Sequence, residues 1–105
     1  MENSLSDRIS HFLEQKNIPY EIKRFGGFNY FMTAGKVIAA AVNSDMLVKC
    51  KPSGLDEILK RPEIKPIPDA AGNPQKDMFL VQSTAINSDD ELASFLAIGL
   101  DYATQ

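Results

Sequence analysis

The 105-residue sequence has no tryptophan, one cysteine and one histidine, and each scarcity excludes a class of chemistry. Cys50 alone cannot form an internal disulfide, and structural zinc sites collect several thiolates where this chain offers one. No apolar run approaches the roughly 18 residues that a membrane-spanning helix needs. The start Met1-Glu2-Asn3-Ser4 lacks the basic residues and apolar stretch of a secretory signal. A cytoplasmic protein without a membrane role is therefore expected. Basic residues are also missing from residue 77 onward, where Asp77, Asp89, Asp90, Glu91 and Asp101 stand without any Lys or Arg. With a net charge of −3 and a pI near 5.0, the chain has no general attraction to a phosphate backbone, which argues against direct nucleic-acid binding.

What remains is an ordinary globular composition. The 44% apolar content is enough for one core, and six Gly, six Pro and 24% charged residues fit neither a collagen-like nor a disordered chain. One domain over residues 1–105 is expected.

The hydrophobic period changes along the chain. Leu5, Ile9, Phe12 and Leu13 fall on one helical face from Ser4 to Lys16, with Ser4 and Asp7 at capping spacing and Asn17 and Pro19 as a stop. From Tyr20 the alternation is that of strands: Tyr-Glu-Ile-Lys-Arg-Phe, the turn Gly26-Gly27, then Phe-Asn-Tyr-Phe-Met-Thr. After Ala34-Gly35-Lys36, the run Val37 to Val42 is apolar on both faces, as in a central strand, and Met46 to Cys50 adds a fourth. Leu55, Ile58 and Leu59 mark a helix of barely two turns that Arg61-Pro62 ends. Four prolines at 62, 66, 68 and 74 predict an extended loop over 62–76, under which a small-molecule pocket could form. Met78 to Gln82 reads as a fifth strand. Ser88 and Glu91 then make a capping box for a C-terminal helix whose buried stripe is Leu92, Phe95, Leu96, Gly99, Leu100 and Ala103. The expected fold is α+β: two layers, an antiparallel five-stranded sheet with helices on one face, in the order α-β-β-β-β-α-β-α.

No catalytic constellation emerges, and no motif calls for a cofactor or a metal. His11 has only Asp7 or Glu14 within helical reach to orient it. Cys50 lies between Lys49 and Lys51, but strand alternation turns both neighbours to the opposite face, so a buried thiol is expected rather than a nucleophile. Gly26-Gly27 lacks the third glycine and the Lys-Ser or Lys-Thr ending of a phosphate loop. The surface left for function is the hairpin, where Phe25, Phe28, Tyr30, Phe31 and Met32 present aromatic and thioether groups to a protein partner or to a second copy in a homodimer. The alternative, a small nucleic-acid site, would use Lys23, Arg24, Lys49 and Lys51.

The series Lys23-Arg24-Phe25-Gly26-Gly27-Phe28, Gly35-Lys36-Val37-Ile38-Ala39 and Asp45-Met46-Leu47-Val48-Lys49, followed by Pro62-Glu63-Ile64-Lys65-Pro66, Gly72-Asn73-Pro74-Gln75-Lys76 and the amphipathic C-terminal helix, resembles the N-terminal domain of the TfoX/Sxy family over about residues 8–104. Arg24 stands where the family signature has Met. The resemblance implies a stand-alone α+β regulatory domain of the competence regulators, acting by protein contact with the transcription machinery rather than as an enzyme. It supplies no active-site residues.

Overall fold

The Ser4 hydroxyl accepts a hydrogen bond from the Asp7 amide at 3.1 Å, satisfying one of the amides that a helix start leaves unpaired. In the computed structural model, which describes residues 4–68 and 70–104, this helix, α1, runs Leu5–Gln15. Met1–Asn3, read above for a leader, and Asp69 of the proline-rich stretch lie outside the described residues. The helix ends in a Schellman motif: the Ile18 amide donates to Leu13, the Asn17 amide to Glu14, and Asn17 takes φ of 57°.

Four strands follow as a meander, β1 (Glu21–Phe25), β2 (Phe28–Thr33), β3 (Lys36–Val42) and β4 (Asp45–Lys49), each antiparallel to the next. Gly26 and Gly27, at φ of 61° and 84°, form the first turn, and positive φ at both central positions matches the right-handed twist of the flanking strands. A 3-10 turn (Pro52–Gly54) leads into the short α2 (Leu55–Ile58). Then come β5 (Ile64–Pro68), β6 (Pro74–Val81) and α3 (Asp89–Ala103), the last opened by a complete capping box between Ser88 and Glu91. The sheet order is β1-β2-β3-β4-β6-β5.

The α+β class, the antiparallel sheet and the helical layer are as the sequence predicts, but the sheet has six strands instead of five. The difference lies in 62–76, where the expected loop is largely a hairpin. Pro66 and Pro68 are tolerated because β5 is an edge strand paired only with β6, so no ladder partner waits on its outer side for the amides that proline lacks.

Register divides the side chains. One row, Ile22, Phe31, Ala39, Val48, Phe79 and Pro66, and its neighbour, Arg24, Asn29, Ala41, Met46, Val81 and Ile64, face the helices. Their central members join Ile9 and Leu13 of α1, Leu55 of α2, and Leu92, Phe95 and Leu96 of α3 in one buried core. A bulge opposite Phe31 and Met32 inserts Ile38 as an extra residue, so that Ile38 and Ala39 are both fully buried. There α3 lies close against the sheet, with Gly99 against the Ile38 carbonyl. On the other side of the layer, the Asn29 amide donates to Ser6 Oγ at 2.8 Å and ties β2 to α1. Among the described residues no polar or charged side chain is buried, and no helix is long and apolar enough to cross a membrane.

Candidate functional site: the helix-free face of the sheet

Between the two core-facing rows runs a row with the opposite orientation: Lys23, Tyr30, Ala40, Leu47, Leu80 and Lys65, one residue from each strand in sheet order. All three helices pack into the single core cluster on the other side, so among the described residues this face has no second layer. Ala40 is nevertheless fully covered, because its small side chain sits between the larger Tyr30 and Leu47, while those two and Leu80 remain partly open. Beside this row lies a groove of about 390 Å³ lined by Tyr30, Val37, Leu47, Lys49, Ile67, Gln75 and Met78. Its apolar floor can hold an apolar segment by desolvation.

The hairpin residues singled out in the sequence divide between the two faces. Phe25 is 76% exposed, and Phe28, Tyr30 and Met32 are partly exposed. Phe31 is completely buried, its ring 6.1 Å from that of Tyr20 within the core, so it cannot meet a partner. Leu47, Val37, Ile67 and Met78 belong to the same open face and were not singled out. Their signal was alternation: Met46 and Val48 point inward, so Leu47 must point outward, and Phe79 does the same for Met78.

The four basic residues of the nucleic-acid alternative do not converge. Lys49 bonds Asp77 at 2.7 Å and stands 5.3 Å from the Tyr102 ring centre, and Lys51 bonds Asp101 at 3.1 Å. With Lys36 also over Tyr102 at 5.6 Å, these cations gather at the C-terminal end of α3, where they complement the negative pole of its dipole. Lys23 and Arg24, adjacent on β1, point to opposite faces.

The reactive side chains are likewise placed for structure. Cys50 is buried, and that burial, reinforced by the Asp77 carboxylate and opposed by Lys49, raises its pKa, which disfavours a nucleophilic thiolate. His11 is exposed at a shallow cleft of about 270 Å³ between α1 and α3, lined also by Arg8, Phe12, Gln15, Asp89 and Leu92. Glu14, one candidate to orient it, accepts instead from the Tyr20 hydroxyl at 2.8 Å. Among the described residues no group of three or more His, Cys, Asp or Glu is placed to hold a metal ion.

No protein-family model matches the sequence, and no curated protein matches it either. A solved structure of a protein from Pseudomonas syringae, determined as a structural-genomics target, is similar with a TM-score of 0.62 at 13% identity, over 96% of this chain and 99% of that one. At that identity the likeness is one of fold alone, and it extends over nearly the whole of both chains.

Proposed function

We propose that the chain is a non-enzymatic protein-binding domain that receives an apolar segment of a partner on the helix-free face of its sheet. The observation that carries this reading is the partly open row Tyr30, Leu47 and Leu80, flanked by Val37, Ile67 and Met78 and continued by the exposed ring of Phe25. Apolar side chains left together at a surface favour association. The resemblance of the strand and turn series to TfoX/Sxy domains supplies the context of the proposal: a cytoplasmic regulator that acts on transcription proteins by contact.

The test compares proteins captured from native cell extract by the wild-type domain and by Leu47→Lys and Phe25→Asp variants whose folding is verified by circular dichroism. Species retained by the wild type and lost by both variants support the reading. Identical capture by all three removes it. A second reading, a small apolar ligand in the groove, is favoured by its largely apolar lining of Tyr30, Val37, Leu47, Ile67 and Met78. It requires a ligand-dependent rise in melting temperature that Leu47→Lys abolishes.

A further inference from the structure

The two edges of the sheet are built differently. The β5 edge carries Pro66 and Pro68 together with Lys65, the devices by which sheets avoid pairing with other chains. The β1 edge has no proline. Every residue of β1 is exposed, and it holds both of the large apolar side chains that are exposed among the described residues, Ile22 at 48% and Phe25 at 76%. A strand with free backbone groups and uncovered apolar side chains is a template for a further strand.

The turn fixes which backbone groups are free. A two-residue turn with positive φ at both positions closes on a hydrogen-bonded pair, here Phe25 and Phe28. Alternation then bonds Lys23 to Tyr30 and Glu21 to Met32, leaving the amides and carbonyls of Ile22 and Arg24 directed at the open edge. Two copies related by a two-fold axis normal to the sheet must match face to face and bond free groups to free groups. Any register centred on a residue of β1 satisfies both conditions; those centred on Glu21 or Arg24 set identical charges against each other, one centred on Phe25 runs the pairing into the turn, and two remain. One is centred on Lys23 and sets its ammonium against the same group of the second copy. The other is centred on Ile22. It sets Ile22 against Ile22 on the helix side, brings Tyr20 opposite Arg24, and pairs Glu21 with Lys23 of the second copy twice on the helix-free side. Only the second is self-complementary in charge, and its Glu–Lys positions are non-hydrogen-bonded ones, where side chains approach most closely.

We infer that β1 pairs antiparallel with β1 of a second copy about Ile22, joining two six-stranded sheets into one of twelve. This inference uses a different surface from the groove and goes beyond the protein-binding reading. Five residues a side bury less than a standard interface, so the dimer forms in a concentration-dependent way.

Sedimentation velocity of the full chain over a range from about 1 μM to 1 mM tests it, these limits bracketing the affinity expected of a small interface. A rise in mass from monomer to dimer is expected. Glu21→Lys and Lys23→Glu should each weaken dimerisation by roughly tenfold, since each turns two attractive cross-strand pairs into repulsive ones. The double variant E21K/K23E should restore it, because the pairs re-form with signs exchanged. Leu47→Lys, which removes the groove, should leave it unchanged. A monomer at every concentration overturns the inference, as does a dimer insensitive to both charge reversals or one that the double variant fails to restore.

Discussion

Replacing Gly99 by alanine tests the seating of α3 on the sheet. A β-carbon added there would lie 2.4 Å from the Ile38 carbonyl oxygen, 3.1 Å from its carbon and 3.2 Å from the Ile38 Cβ. Two of the three obstructing atoms are backbone, so no rotamer change relieves the contact. Either α3 or β3 must give by more than half an ångström in a core where density resists displacement. Overpacking of this kind costs about 1–3 kcal/mol, and a backbone obstacle places it at the upper end. Against it stands a gain of roughly 1 kcal/mol for alanine over glycine within a helix. The expected result is a net loss of about 2 kcal/mol, or a melting temperature lower by roughly 10 °C for a chain near 100 residues. Urea and thermal unfolding followed by circular dichroism measure it, with Ala97→Gly as the control: Ala97 is exposed on the same helix and should lose only about 1 kcal/mol. Propensity alone predicts opposite signs for the two variants, whereas the close approach predicts that both destabilise. A G99A protein as stable as the wild type would refute the packing described for α3.

Phe25→Asp should leave stability within about 0.5 kcal/mol of wild type, as is usual at open surface positions, while Phe31→Asp should cost more than about 4 kcal/mol and lower the unfolding midpoint sharply or abolish the transition. Denaturant midpoints distinguish the two, and equal midpoints would contradict the division of the hairpin between its faces. Cys50 should resist thiol reagents in the native state and react at once in urea, since its side chain is buried. Fast labelling of the native protein would show that it is accessible. Because folding raises the Cys50 pKa, the native state holds that proton more tightly than the unfolded chain. Stability from this source is therefore complete below the ordinary thiol range and declines as pH rises through it, until the native thiol also ionises. Unfolding free energies at neutral pH and near pH ~10 should differ more for wild type than for Cys50→Ala, and an identical pH dependence would remove the effect.

Much of this architecture was legible in the residues. The Ser88 and Glu91 box, the Gly26-Gly27 turn and the Leu5, Ile9 and Leu13 stripe each contain their own physical instruction: a cap, a permissive backbone, a period. Local rules also sufficed to divide Tyr30 from Phe31 once both were placed on one strand. They failed for β5, where proline density predicts a loop unless the strand is known to lie at an edge, and edge position is a property of the assembled sheet. The bulge at Ile38 was equally hidden, because an apolar run shows no break in alternation when both faces are apolar. The candidate groove was only half visible. Tyr30 belongs to the hairpin that the sequence marks, but Leu47, Ile67 and Met78 join it through the order β4-β6-β5, a long-range pairing that no local pattern encodes.

The prolines of β5 also bear on how far self-assembly could extend. A chain with two receptive margins can add copies indefinitely and grow into a fibre. Here the second margin lacks amide donors at Pro66 and Pro68, so copies joined at β1 would turn only their refractory sides outward, and growth would halt at a closed pair.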